Sequence, residues 1–336
     1  MSDALPLRQV ALERMVLDGR ARLDRIDVAY VLRDTHGTLA RCPVDRPLVV
    51  ACPALTGDAP GAAAWAIEAL ATQGRHDAVV LSVATLGSCT GTRAVPALAA
   101  DTAVSPRDMA TVVVRTLAAL GAPTPHVVAG GSLGGMVALE VAVALGAPVH
   151  GVVLAAPAAQ TPWAQALGHL HREALRLGGP REGLALARAI GMLSYRSSTE
   201  FNGRFTLDGA RTAVSYLQHH GARLVERFDA DAYRRLLDAM DAHDIGRARG
   251  GLAAALAPHA ARLVGVGIPG DVLYPADDVR GWTEASGARY ASITSVHGHD
   301  AFLLEPEQVG RILARALVAA ETDRRTGSHR STGEIA

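Results

Sequence analysis

Short, unbroken apolar runs alternate with amphipathic stretches along most of the chain. Runs of strand-forming residues occur at 27–32, 47–54, 77–85, 126–131, 149–155, 262–268 and 290–296. Most are continuous rather than alternating, as expected of strands covered on both faces. Helical periodicity fills several gaps, notably 107–120 and 136–145, the first announced by Ser105-Pro106, a capping residue followed by proline. Strand and helix in alternation predict an α/β fold with a mostly parallel, twisted sheet and right-handed crossovers. From about Pro157 to Pro258 the alternation stops, and helices are predicted at 163–177, 182–193, 210–228 and 230–242. A helical insertion between two late strands reads as a lid, and a separate helical domain is the alternative. The expected division is a core of residues 1–156 and 259–322, a lid of 157–258, and a tail of 323–336. That tail is rich in Arg, Ser, Thr and Gly, a composition expected to be disordered.

Composition narrows the picture. A chain of 336 residues buries a sizeable core. The net charge is zero and no long basic block occurs, so neither nucleic acid nor an anionic membrane is an expected partner. All 33 basic residues are arginine. With no lysine, Schiff-base and lysine-nucleophile chemistry is excluded. Cys42, Cys52 and Cys89 are odd in number and lack metal-type spacing. With no signal-like segment and no run long enough to span a bilayer, a reduced cytoplasm is the expected compartment.

The chemistry centres on Ser132. Residues Val127 to Ala129 enter a tight Gly-x-Ser-x-Gly turn, Gly130 to Gly134, and a helical pattern leaves it through Met136, Leu139 and Val143. Strand, turn and helix in that order are the context of a nucleophile elbow. A serine nucleophile needs a general base and a carboxylate to orient it, and in elbow enzymes these follow in the order acid, histidine. Asp271 follows the 262–268 run and His299 follows the 290–296 run, both at strand ends where such sites assemble. His297, His299 and Asp300 would instead suit a metal, but no second cluster completes a ligand set, so no metal is expected. Backbone N–H groups of Leu133, the residue after the serine, and of Leu55, in the loop 52–58, are the candidate oxyanion donors.

Four segments in order then resemble one family: Ala54-Leu55-Thr56-Gly57-Asp58, Leu86-Gly87-Ser88-Cys89-Thr90-Gly91, Gly130 to Met136, and His299-Asp300-Ala301-Phe302-Leu303. They look like homoserine O-acetyltransferase, an α/β-hydrolase-fold acyltransferase family with relatives that use succinyl donors or serine acceptors. Tyr195-Arg196-Ser197, Gly203-Arg204-Phe205, Ser215-Tyr216-Leu217 and Arg227-Phe228-Asp229 are similar to its lid segments. The resemblance spans about Ile26 to Leu313. It implies that Ser132 carries the acyl group, with His299 as base and Asp271 as its orienter. It also implies that Thr56, Arg188, Tyr195 and Asp300 hold the amino-acid acceptor. Arg188 can grip a carboxylate bidentately, Asp300 can pair with an ammonium, and Arg188 and Tyr195 lie two turns apart on one helix face. No bound cofactor is implied, only acetyl-CoA or succinyl-CoA as co-substrate, and the protein is expected to be a homodimer working on small molecules in amino-acid (methionine) biosynthesis.

The chain departs from the family pattern at Pro53, where histidine is usual, at Leu133, where methionine is usual, and at Thr92-Arg93-Ala94. Segments after Asp58, Gly91 and Leu177 are shorter than in typical members. These loops shape the donor channel, so acetyl versus succinyl and homoserine versus serine stay open at the level of sequence. A hydrolase with the same triad would need no Arg188 and Asp300, and the complete triad argues against an inactive scaffold.

Overall fold

The computed structural model describes residues 7–99, 101–205, 207 and 212–331, with side chains through residue 326. Its centre is a ten-stranded sheet in the order β1-β2-β5-β4-β7-β8-β9-β10, with β3 and β6 also paired to β2. The strands are β1 (Arg8–Val16), β2 (Arg22–Asp34), β3 (Gly37–Thr38), β4 (Leu48–Cys52), β5 (Val79–Val83), β6 (Arg93–Val95), β7 (Val127–Gly131), β8 (His150–Leu154), β9 (Leu263–Gly267) and β10 (Arg289–Ser292). From β5 to β10 every neighbour pair is parallel, while β1, β2, β3 and β6 pair antiparallel at one side. The sheet is therefore mixed, with the expected parallel part at its centre. All residues of β4, β5, β7, β8 and β9 are buried. The continuous apolar runs reflect this, since helices cover both faces.

The covering helices start where the chain offers caps. Asp58 caps α1 (Ala59–Ala71) by accepting from the Gly61 N–H, and Ser105 forms a reciprocal capping box with Asp108 at the start of α2 (Pro106–Ala119). The helix after the serine, α3 (Leu133–Leu145), is buried on every side from Leu133 to Ala142. The apolar core lies on the two sheet faces, one against α2 and α3 and one against α1 and the last helix.

Between β8 and β9 lie α4 (Pro162–Gly178), α5 (Leu184–Tyr195), α6 (Ser198–Arg204), α7 (Ala213–Val225), α8 (Ala230–Asp241) and α9 (Leu252–Leu256). A π-helical turn, Gly179–Gly183, joins α4 to α5. The helix expected at 210–228 begins outside the described residues at its first position and is seen from Ala213. After β9 come α10 (Ala276–Ser286), α11 (Ala301–Leu304) and α12 (Pro306–Ser331).

Two expectations are corrected. The strand expected to run to residue 296 ends at Ser292, because Thr294 donates its N–H to the Gln308 side chain instead of a neighbouring strand. The tail expected to be disordered from 323 continues α12 to Ser331, and residues 332–336 lie outside the described part. Its polar side chains have partners on the core: Asp323 meets His150 Nε2 at 3.1 Å and Arg262 Nε at 3.0 Å, and Arg324 donates to the Thr124 and Pro125 carbonyls.

Candidate active site

Ser132 sits between β7 and α3 with φ 57° and ψ −127°, a backbone conformation that costs free energy and persists only where the surroundings enforce it. The enforcement is close packing. A Cβ on Gly130 would lie 2.3 Å from the Gly134 carbonyl oxygen, and one on Gly134 would lie 2.3 Å from that of Cys52. Only glycine lets the turn close against itself and against the end of β4. Leu133 opens α3, so its N–H belongs to the first turn and has no intrahelical acceptor.

Asp271 lies four residues beyond the end of β9 and is buried. Its Oδ1 accepts from the N–H groups of Leu273 (2.8 Å) and Tyr274 (2.9 Å), which leaves Oδ2 for His299 Nδ1 at 2.7 Å. The imidazole is packed by three rings, Tyr195, Tyr274 and Phe302, with centroids 5.6 to 5.7 Å away. Burial alone would push His299 down. The Asp271 charge and hydrogen bond, with Asp300 adding to them, outweigh it and hold the imidazole above the ordinary histidine range. Its Nε2 is buried and makes no hydrogen bond within the protein. Ser132 and His299 face the same pocket without a direct hydrogen bond, a separation that tightens in substrate complexes of such enzymes.

That pocket, about 380 Å³, is lined by Ser132, His299 and six residues of the loop after β4, Leu55 and Thr56 among them. Arg188, Tyr195 and Asp300 complete the set expected from the sequence. All these side chains thus meet in one cavity except Asp271, which stands behind His299, and Leu133, whose side chain is buried under the elbow. Arg188 lies with its Cζ 5.6 Å from the Tyr195 ring centre, a cation–π distance, and has no carboxylate within 4.0 Å among the described residues. Deeper in, the Tyr233 hydroxyl lies 2.9 Å from His171 Nδ1, and burial pushes that imidazole down to about 4. The Asp300 carboxylate is itself engaged by a charge: Arg196 Nε lies 3.1 Å from its Oδ2.

The sequence assigned no role to Trp65, Arg227, Phe302 or Arg196, although the last three stand in segments that carry the resemblance. Trp65 and Phe302 line the pocket and are tied together, the indole Nε1 donating to the Phe302 carbonyl at 2.7 Å. Arg227 donates to the Thr56 carbonyl at 2.8 Å, joining the end of α7 to the loop after β4. Its place in the Arg-Phe-Asp segment was the available signal. Among the described residues no group of three His, Cys, Asp or Glu side chains is placed to hold a metal, and no helix is long and apolar enough to cross a membrane.

A serine on a strained elbow at the edge of a parallel sheet, faced by a buried histidine–aspartate pair, defines the α/β-hydrolase class. An alpha/beta hydrolase family model matches residues 49–323. The chain is 43% identical over 252 residues to homoserine O-acetyltransferase of Thermus thermophilus, a match covering 70% of this chain and 66% of that protein. It is 36% identical over 316 residues to the enzyme of the same name from Deinococcus radiodurans, covering 90% of both chains. The crystal structure of homoserine O-acetyltransferase from Staphylococcus aureus superposes with a TM-score of 0.79 at 30% identity, covering 92% of this chain and 95% of that one. The chain belongs to the alpha/beta hydrolase family and, within it, to the homoserine O-acetyltransferases. It spans 66% and 56% of the lengths of the two Thermus thermophilus relatives.

Proposed function

We propose that the protein moves an acetyl group from acetyl-CoA to the side-chain hydroxyl of L-homoserine through an acyl-Ser132 intermediate. The observation that carries this reading is one cavity holding an elbow serine, a histidine backed by an aspartate, and an arginine with no carboxylate partner among the described residues. A hydrolase needs the first two. An unpaired cation opposite a carboxylate is the recognition set for an amino acid.

In this mechanism His299 Nε2 takes the Ser132 proton, and the Oγ attacks the thioester carbonyl. The N–H groups of Leu133 and Leu55 receive the oxyanion, and coenzyme A leaves as the thiol with the proton from His299. The acceptor enters with its carboxylate on Arg188 and Tyr195, its ammonium on Asp300 and its backbone-side edge near Thr56. His299 then deprotonates the acceptor hydroxyl, which takes the acetyl group and frees Ser132. Orientation of that hydroxyl is worth on the order of 7–11 kcal/mol, enough for it to outcompete water. The segment from α4 to α9 acts as the lid that supplies Arg188 and Tyr195.

The test is coenzyme A release from acetyl-CoA and from succinyl-CoA, each with homoserine, serine or no acceptor. Release that depends on homoserine and is lost in Ser132→Ala is the expected result. Release indifferent to any amino acid makes the protein a hydrolase, and release unchanged in Ser132→Ala removes the site.

A further inference from the structure

The loop that carries His299 is fastened to the helical insertion. Ser197 Oγ donates to the Val296 carbonyl. Arg196 Nη1 donates to Glu200 Oε1 at 3.0 Å while its Nε stands 3.1 Å from Asp300 Oδ2, at ion-pair distance without the alignment of a hydrogen bond. On the far side of Glu200, His297 Nδ1 lies 3.2 Å from Oε2. The backbones themselves touch: Gly298 has φ +65°, and a Cβ there would lie 2.8 Å from the Ser197 nitrogen. Residues 196–200 and 296–300 therefore form one unit, with the Arg196 guanidinium at its centre and only 12% exposed.

We propose that Arg196 is the positioning residue for the acceptor's ammonium group, fixing the Asp300 carboxylate at the pocket wall through Oδ2 and leaving Oδ1 to receive the amine. This rests on the reading of Asp300 as the ammonium site. Arg196 is shared between Asp300 and Glu200, and Glu200 also meets Arg204 at 3.3 Å. Sharing means that Arg196 does not fully neutralise Asp300, which keeps the capacity to hold a second cation. The electrostatics agree. Burial pushes the Asp300 carboxyl up, toward its neutral form, and Arg196 is the leading opposing influence, ahead of His299 and Arg188, with Glu200 acting the other way. The other titratable groups that feel Asp300 are the hydroxyls of Tyr195 on α5 and Tyr216 on α7. A neutral Asp300 cannot form an ion pair with an ammonium.

The experiment is steady-state kinetics of Arg196→Gln across the pH range over which the protein stays folded and active. It is paired with the burst of coenzyme A released from acetyl-CoA without acceptor. The expected result is a KM for homoserine raised about tenfold at the acid end, the loss of one charge-assisted contact. That increase shrinks as pH rises and Asp300 ionises, while the burst stays within about twofold of wild type because acylation does not use Asp300. An unchanged KM, a pH-independent increase, or a burst that falls in step with turnover would overturn the proposal. Should the Gln variant not fold, Arg196→Lys carries the test. Lysine keeps the charge but lacks the fork that spans two carboxylates, so KM rises about threefold without the pH slope of the Gln variant, and a wild-type KM overturns the proposal. Asp300→Asn in parallel separates the two readings. No change in KM there removes the ammonium site itself, whereas a rise there without one in Arg196→Gln removes only the role of Arg196.

Discussion

At the level of single residues, the site is built by giving each polar atom one job. Asp271 spends one oxygen on two backbone N–H groups and the other on His299, so the imidazole has a single orientation and one free nitrogen. The pH dependence follows from that pairing. A base must be neutral to accept the Ser132 proton, and Asp271 favours the protonated imidazole. The acid limb of kcat/KM is therefore expected above the ordinary histidine value of about 6.5, with activity falling as pH drops through it. In Asp271→Asn the limb moves down, since the stabilising charge is gone, and kcat falls by about 10⁴ as the tautomer is lost. A limb that does not move in a pH–rate profile of that variant would separate Asp271 from the base. Ser132, Asp271 and His299 were legible in the sequence because an elbow and two strand-end positions are local patterns. Arg196 was not, because its meaning comes from Asp300 and Glu200 meeting it in space.

At the level of elements, the buried parallel strands and the helices with caps were the legible part. The run at 107–120 begins behind Ser105, and the structure shows the Ser105 hydroxyl accepting from the Asp108 N–H while Asp108 accepts from the Ser105 N–H. Both side chains are buried, so Ser105→Ala is expected to cost about 0.5–2 kcal/mol, read as a lower urea midpoint with an unchanged slope. Elements without such signals were missed. Strand β1, Arg-Gln-Val-Ala-Leu-Glu-Arg-Met-Val, buries only Leu12 and Met15, and its charged residues hide the pattern. Helix α6 has no buried residue at all and exists through the Ser197 cap and the ion pairs of Glu200. The end of α12 read as a polar tail because Asp323 and Arg324 are polar for partners that lie far away in sequence.

At the level of the whole molecule, the helical insertion shows apolar side chains to solvent. Trp163, Leu170 and Leu177 on α4, Leu186 and Leu193 on α5, and Val214 on α7 are all exposed. Exposed apolar residues in such numbers mark interaction sites, and we propose that a second copy of the chain covers them. Sedimentation equilibrium is expected to give twice the chain mass, and Leu170→Glu with Leu186→Glu to return it to one. A wild-type protein of single-chain mass at micromolar concentration rejects that assembly. Nothing in the apolar pattern of these helices distinguished an inward from an outward face until the sheet was in place to define inward.

The insertion also enters and leaves through β8 and β9, which are neighbours paired along Gly151 to Leu154. Because the two strands are parallel, the chain leaves at the C-terminal edge of the sheet and returns at the opposite edge, so this segment also makes the crossover between them. Ser132 comes before it, and Asp271 and His299 come after it. Of the pocket residues named above, Arg188 and Tyr195 come from this segment, while Thr56 and Asp300 belong to the same core as Ser132 and His299. A change within the insertion leaves the elbow and the histidine–aspartate pair untouched, and the loop fastened by Arg196 is the seam along which the two pieces must still fit.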